Sequence, residues 1–234
     1  MPKIGLFGLL YLFLIPFLVF SGQSPFLLFL SLSLGYLLFR LFQKPSLSQF
    51  LIFLAIVVLA LIILRPRLGL DMGLLNAINS QRGEHPDFQN NIISRLVHNK
   101  SELSHSFISN FNKLLSPAAI FASGFWHRLD PYYPLGYLFP WDIYFLYRYF
   151  RSAHQSKYDR NLAFFVPALG FLLLLTGLIY VDQAIVFSFA VLFFLAFLSV
   201  VGFSTTSPKT QLGFLIANIL YLLYQLNITA YFKL

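Results

Sequence analysis

The eighteen residues from Leu47 to Leu64 read LSQFLIFLAIVVLALIIL and contain no charged side chain. A helix needs about 17 to 25 mainly apolar residues to cross the hydrocarbon core of a bilayer, so this run predicts a transmembrane helix. Six further stretches approach or reach the same length. The fold class that this pattern predicts is an all-α polytopic membrane bundle. The seven predicted transmembrane helices are Ile4–Phe20, Pro25–Phe42, Leu47–Leu64, Leu135–Phe150, Leu162–Tyr180, Ala184–Phe203 and Leu212–Phe232.

The composition agrees with lipid as the main solvent. Hydrophobic residues make up 58% of the chain and charged residues 10%, whereas a soluble domain carries about a quarter charged residues. The net charge of +8 would raise the question of nucleic acid in a soluble protein. Here the basic residues lie mostly at helix ends, where they meet anionic lipid headgroups, so we expect membrane lipids as partners and no nucleic acid. Cysteine is absent, which excludes disulfides, thiolate metal sites and a cysteine nucleophile.

The distribution of Lys and Arg predicts the orientation. The short connections 21–24 and 181–183 contain neither residue, so the positive-inside rule places them outside and the N-terminus in the cytoplasm. The predicted spans and this orientation divide the chain into three segments: a three-helix transmembrane segment 1–64, an extracytoplasmic helical loop 65–134 and a four-helix transmembrane segment 135–234. The alternative for the first helix is a cleaved signal peptide. The inner basic residues are Lys3, Arg40, Lys44, Arg148, Arg151, Lys157, Arg160 and Lys209.

The loop 65–134 contains three amphipathic patterns that would lie on the membrane or cover the bundle. The third pattern begins near Ser101 and ends at Ser116–Pro117, and its apolar residues recur at helical spacing. Beyond it, a group of aromatic residues marks the return to lipid and indicates an interfacial belt. The apolar stripe consists of Leu103, Phe107, Phe111, Leu114 and Leu115, and the aromatic group of Trp126, Tyr132, Tyr133, Tyr137 and Trp141.

Polar groups inside predicted spans are costly in lipid, and each has a functional and a structural interpretation. Asp142 could receive a proton, a cation or a sugar hydroxyl. It could instead pair with Arg128, or cap a helix that begins near Pro140. On the last helix, Asn218 and Gln225 share a face and indicate interhelical hydrogen bonding. Close helix packing is the corresponding expectation for Gly170 and Gly177.

The outer loop holds the densest set of polar residues. Its histidines do not match a compact metal-ligand spacing, and neither H-E-x-x-H nor a nucleophile elbow is present, so we predict no metal and no cofactor. Arginine forks match phosphate oxygens, which makes phosphate recognition beside the membrane one interpretation. Solvation of the outer helix faces is the other. The candidate phosphate ligands are Arg82, Arg95, Lys100 and Arg128, and the candidates to orient a sugar or neighbouring side chains are Glu84, His98 and Asp130.

Several short motifs come in a recognisable order between residues 70 and 145. They are Ile78–His85 (INSQRGEH), Leu96–Lys100 (LVHNK), Asn110 to Ser116–Pro117, Phe121–Gly124 (FASG), His127–Arg128 and Gly136–Leu138 (GYL). This stretch resembles the later extracytoplasmic loop of bacterial membrane glycosyltransferases of the dolichyl-phosphate-mannose-protein mannosyltransferase type, in the GT-C superfamily. The resemblance implies a polyprenyl-phosphate-linked sugar as ligand, with the matching residues contacting the donor phosphate or shaping the loop.

The chain also departs from that family. Its members have many more helices, and their catalytic carboxylate lies in the first outer loop, which here is Ser21-Gly22-Gln23-Ser24. The acid that often follows the Ser-Gly pair is replaced by Phe125. Whether the chain is an enzyme therefore stays open, with Asp142 as the only intramembrane acid available as a catalytic candidate. The leading hypothesis is a cell-envelope protein that is a reduced or partial glycosyltransferase relative. The alternatives are an accessory subunit of a larger membrane complex, and a small transporter or flippase.

Overall fold

The computed structural model describes residues 6–14, 25–65, 104, 107–112, 114–123, 136–155, 163–179 and 181–231. Every element of regular structure in these ranges is helical, so the predicted all-α class is confirmed for them. A π-helical turn covers Ala119–Ser123. The helices are α1 (Leu6–Phe13), α2 (Pro25–Gln43), α3 (Leu47–Leu64), α4 (Asp142–Gln155), α5 (Phe165–Leu178), α6 (Val181–Ser204) and α7 (Pro208–Tyr231).

Three of these helices are long and apolar enough to cross a membrane: α2, α3 and the part of α6 from Val186 to Ser204. They are compatible with membrane insertion, and α5 is a shorter apolar helix. The sequence predicted seven spans, which is more than these three helices support. The predicted bounds of α3 are those observed, and α2 continues one residue beyond its predicted end.

The fourth predicted span, Leu135–Phe150, has different bounds in the structure. Helix α4 begins at Asp142 and continues to Gln155, seven residues after the predicted start. Pro140 lies in the turn before it, and proline, which has no N–H, favours the beginning of a helix over its interior. The apolar residues before Pro140 are buried without belonging to the helix.

Helix α6 is the centre of the described bundle. Of its apolar part, 94% is buried, compared with 17% of α3, which turns most of its surface outward. Glycines allow two helices to approach α6 closely. A Cβ on Gly35 of α2 would lie 2.5 Å from the Cβ of Phe193, and a Cβ on Gly202 would lie 2.8 Å from the carbonyl carbon of Phe145 in α4. Small residues at such contacts are typical of membrane helix packing.

Contacts along α4 give the directions of its neighbours. Its contacts with α6 advance in the same direction on both helices, so the two run parallel. Its contacts with α7 advance in opposite directions, so these two run antiparallel. On the α6 side the pairs are Asp142 with Ser199, Phe145 with Gly202 and, just after α6, Arg148 with Thr205. On the α7 side they are Phe145 with Phe214 and, in the turn before α4, Trp141 with Asn218 and Phe139 with Tyr221.

Basic residues gather where α2 ends and α7 begins. The ring of Phe42, in the last turn of α2, lies 6.3 Å from that of Tyr149 in α4. One residue before Tyr149, Arg148 bonds to Thr205 in the turn between α6 and α7. We call this region the cationic end. Its described basic residues are Arg40, Lys44, Arg148, Arg151 and Lys209.

Candidate functional site

Asp142 is the centre of a polar cluster inside the bundle. The hydroxyl of Tyr11 in α1 donates a hydrogen bond of 2.6 Å to its Oδ1. The hydroxyl of Ser199 in α6 donates to the same oxygen, and the backbone N–H of Phe139 donates to Oδ2 at 2.8 Å. Three donors from three parts of the chain therefore converge on one carboxylate, which is fully buried together with Tyr11 and Ser199.

The position of Asp142 follows from the start of α4. Its carboxylate reaches back three residues to the N–H of Phe139, as the acidic residue of a capping box does. The backbone N–H of Asp142 donates to the carbonyl oxygen of Phe139 at 3.0 Å, and Pro140 stands at the first position of this turn. The geometry is that of the capping interpretation drawn from the sequence. Arg128, the other proposed partner, lies outside the described residues.

Asn218 of α7 adds a fourth helix to the cluster. Its Oδ1 accepts a hydrogen bond of 2.9 Å from the indole N–H of Trp141. The predicted hydrogen bond to another segment is therefore present, with a partner in the turn before α4 and not within a helix. The side chain is fully buried, and its Nδ2 has no acceptor among the described residues. The side chain of Gln225, its predicted companion, lies outside the described side chains. We call Tyr11, Asp142, Ser199 and Asn218 the Asp142 cluster.

Aromatic rings enclose the cluster. The ring of Tyr11 packs against Phe203 at 4.5 Å and Phe145 at 5.6 Å between centroids. Trp141 stacks on Phe139 at 5.0 Å. Trp141 is partly buried, and the nearby Tyr137 is buried against Phe189. The ring of Tyr137 packs in the interior, which contradicts an interfacial position for it. For Trp141, which is only partly buried, the interfacial belt stays a prediction.

The arrangement favours a structural role for Asp142. A catalytic base must come within hydrogen-bond reach of its substrate, whereas both oxygens of this carboxylate already accept bonds from buried groups of the chain. Hydrogen bonds from three donors offset part of the free energy lost when a carboxylate leaves water. Within the described ranges no group of three or more His, Cys, Asp or Glu side chains could hold a metal. The chemistry that remains is fixing four helices against one another.

The described part of the loop 65–134 is docked on the bundle where α5 meets α6. The side chain of Asn110 is buried, and its Nδ2 donates to the carbonyl oxygens of Gly177 at 3.0 Å and Ile179 at 3.1 Å. These carbonyls lie at the end of α5, where helical partners are missing. Leu114 and Leu115 of the predicted apolar stripe are buried. The third amphipathic pattern therefore covers the bundle, one of its two predicted positions.

Backbone hydrogen bonds tie this segment to the chain that leads into α4. The N–H of Leu138 donates to the carbonyl oxygen of Ile120 at 2.8 Å, and the N–H of Tyr137 donates to that of Ala119 at 3.4 Å. Both acceptors belong to the π-helical turn. Residues 119–120 and residues 137–138 are thus held together, and Tyr137 packs against Phe189 in the first half of α6.

The glycines predicted to pack helix against helix behave differently from each other. The ring of Phe107 occupies the space where a side chain on Gly177 would be. A Cβ on Gly170 would meet no atom of the described residues within 4 Å. The packing prediction is wrong for Gly170. For Gly177 the neighbour is the docked loop segment, and not a transmembrane helix.

The predicted ligand residues lie outside the described residues: Arg82, Glu84, Arg95, His98, Lys100, Arg128 and Asp130. The structure instead adds three residues that the sequence did not single out for contact with the bundle interior: Tyr11, Ser199 and Asn110. Tyr11 carried a usable signal, because it is the only side chain with a hydrogen-bonding group in the first predicted span. Ser199 and Asn110 carried none that separates them from the other serines and asparagines.

Comparison with known proteins gives no assignment. The chain matches no protein-family model, no curated protein and no solved structure. The function has to be argued from the geometry and the sequence.

Proposed function

We propose that this chain is a multi-pass membrane protein of the cell envelope that binds a polyprenyl-phosphate-linked sugar or glycan through its outer loop, as a reduced or partial relative of the GT-C glycosyltransferases. In this proposal the chain crosses the membrane more than once, its N-terminus is cytoplasmic and the loop 65–134 is extracytoplasmic. The apolar helices α2, α3 and α6 support a membrane location. The cationic end supports the orientation, because basic residues favour the cytoplasmic side.

The observation that carries the proposal is the docking of residues 107–123 on the bundle. Asn110 bonds to the end of α5, and Leu138 bonds to the π-helical turn. The described residues that flank Arg128 and Asp130 in the chain are therefore held together, beside the half of α6 that lies farther from the cationic end. Docking of this kind supports a ligand-binding surface beside lipid, where the phosphate of a lipid-linked sugar would lie.

The roles of the loop residues follow from their chemistry. Arginine and lysine pair with phosphate oxygens, and arginine does so with two parallel hydrogen bonds. Carboxylates and imidazoles accept or donate hydrogen bonds to sugar hydroxyls. We assign phosphate binding to Arg82, Arg95, Lys100 and Arg128, and sugar orientation to Glu84, His98 and Asp130.

The Asp142 cluster argues for binding without catalysis by Asp142. The carboxylate is fully buried and bonded, so neither an acceptor hydroxyl nor a transported ion has access to it in this arrangement. This observation disfavours the transporter alternative. The proposal therefore assigns no catalytic role to Asp142.

A second candidate is an accessory subunit of a larger membrane complex. One observation favours it: α3 has a mean hydropathy of 3.0 and is only 17% buried, so a long apolar face is open to a partner helix as well as to lipid. Co-purification of a stable partner without a bound polyprenyl lipid would support this candidate over the first.

Native mass spectrometry of gently solubilised protein tests the leading proposal. Wild type should retain polyprenyl-phosphate lipids, and Arg82→Gln and Arg128→Gln should each lose most of them. Arg40→Gln, which removes a cation at the cationic end, is the matched control and should retain them. Equal retention by wild type and both loop variants would contradict the proposal.

A further inference from the structure

We infer that Arg148 binds the phosphate of an anionic phospholipid headgroup at the cationic end of the bundle. Arg148 is the seventh of the fourteen residues of α4 and bonds to the turn that joins α6 to α7. This site is at the other end of the bundle from the docked loop segment. It rests on the proposed membrane location and does not depend on the ligand proposed for the loop.

The hydrogen bonds of Arg148 leave part of its guanidinium free for a ligand. Nε donates to the hydroxyl of Thr205 at 3.3 Å, Nη2 donates to the Thr205 carbonyl oxygen at 3.3 Å, and Nη1 donates to the hydroxyl of Tyr144 at 3.2 Å. A guanidinium has five N–H groups, so two remain on the Nη atoms. Two such groups match two oxygens of a phosphate.

The guanidinium is also held in place before a ligand arrives. Thr205 donates its hydroxyl proton to the carbonyl oxygen of Gly202 at 2.6 Å, which fixes its oxygen as the acceptor for Arg148. Gln211 closes the same turn by donating to the carbonyl oxygen of Thr206 at 3.0 Å. A side chain that is already ordered loses less conformational entropy on binding, which favours a defined site over a diffuse attraction.

The charge around Arg148 favours an anionic ligand. The other basic residues of the cationic end, Arg40, Lys44, Arg151 and Lys209, are exposed. Among the described residues the acids are Asp142 and Asp182. Asp142 is enclosed in its cluster, and Asp182 lies in the first turn of α6, at the far end of that helix from Thr205. The described acids therefore do not offset the positive charge at this end.

The surroundings indicate a lipid headgroup as the source of the phosphate. Tyr144, whose ring centroid lies 5.9 Å from the guanidinium carbon of Arg148, is exposed, and Tyr147 and Phe150 are exposed in the same two turns of α4. The α6 helix against which α4 packs is long and apolar enough to cross a membrane. Exposed aromatic rings interspersed with arginine are typical of helix faces at the level of the headgroups. A soluble phosphate would gain nothing from these rings, whereas a phospholipid places its glycerol and upper chains against them.

The test measures phospholipid binding by the full chain. Purified protein in mild detergent is titrated with phosphatidylglycerol or phosphatidylcholine, and bound lipid is counted by native mass spectrometry. Wild type should prefer phosphatidylglycerol. Arg148→Gln should weaken phosphatidylglycerol binding about tenfold, the lower end of the loss expected for hydrogen bonds to a charged group. Arg148→Lys, which keeps the charge without the fork, should fall between them.

Controls separate this site from simpler explanations. Arg40→Gln removes an exposed cation at the same end and should change phosphatidylglycerol binding by less than about twofold. An equal loss in Arg40→Gln and Arg148→Gln would overturn the inference in favour of diffuse surface charge. Lower binding of both lipids, with a lower melting temperature in phosphatidylcholine, would show that Arg148 only holds the turn. Complete displacement of the lipid by millimolar inorganic phosphate would overturn the assignment to a headgroup.

Discussion

Changing Tyr11 to Phe removes the hydroxyl that donates to Asp142 and keeps the aromatic ring in its packing. A hydrogen bond to a charged group contributes about 1.5–3 kcal/mol in soluble proteins. Hydrogen bonds between membrane helices contribute less, with an average of about 0.6 and a maximum of about 1.7 kcal/mol. The acceptor is a buried carboxylate, and its Oδ1 lies 2.6 Å from the hydroxyl oxygen of Tyr11. We therefore expect Tyr11→Phe to lower the free energy of unfolding by about 1.5 kcal/mol.

A double-mutant cycle makes this prediction specific to the pair. In Asp142→Ala the hydroxyl of Tyr11 loses its acceptor and stays buried, which destabilises the fold further. Removing that hydroxyl in the Asp142→Ala background should therefore be neutral or stabilising. The assay is equilibrium unfolding in mixed micelles of mild detergent and dodecyl sulfate, followed by far-UV circular dichroism. Tyr36→Phe is the matched control, since Tyr36 is 46% exposed and should change stability by less than about 0.5 kcal/mol.

Two results would refute the reasoning. The first is a loss for Tyr11→Phe no larger than the loss for Tyr36→Phe. The second is the same loss for Tyr11→Phe in wild type and in the Asp142→Ala background, because independent sites add. Either result would mean that the hydroxyl of Tyr11 and the carboxylate of Asp142 do not interact in the protein.

Three further predictions concern other contacts. Gly202→Ala should destabilise the protein by about 1–3 kcal/mol in the same unfolding assay, because a Cβ there collides with the backbone of α4. Gly213→Ala is its control: the added Cβ meets no described atom, so this variant should be more stable by about 0.5–1 kcal/mol. Asn110→Ala should leave two carbonyl oxygens at the end of α5 without their donor, and limited proteolysis should then cut the loop 65–134 faster. Ser33→Ala, at an exposed hydroxyl, should leave the rate of cleavage unchanged. Finally, burial of Tyr11 predicts that α1 is not removed by a signal peptidase, so the intact mass of the purified protein should include residues 6–13. A mass that corresponds to cleavage after residue 22 would contradict the Asp142 cluster.

The sequence predicted most helices well, because long apolar runs are read locally. The bounds of α3 were correct and those of α2 and α6 were close. It failed at α4, where a run of apolar and aromatic residues was taken as one span. The chain from Gly136 to Phe139 is instead held by the π-helical turn, and the helix begins after Pro140. Hydropathy cannot separate buried irregular chain from helix, since both are apolar.

The candidate site was predicted only in part. Asp142 was identified because an acid in an apolar stretch is costly, and its capping role followed from the neighbouring proline. Its other partners could not be predicted. Tyr11 is 131 residues from Asp142 and Ser199 is 57 residues away, and no local pattern relates such positions. The loop residues assigned to phosphate and sugar stay predictions.

By itself the sequence determined that most of this chain is helical and apolar, because helix formation and hydrophobicity depend on residues close together in the chain. Only the tertiary structure decided which polar side chains meet. Glycines at positions 35 and 202 let α2 and α4 approach α6, and the approach of α4 brings the hydroxyl of Ser199 to the carboxylate of Asp142. Packing between distant segments sets such contacts, and packing depends on the shapes of all the helices at once.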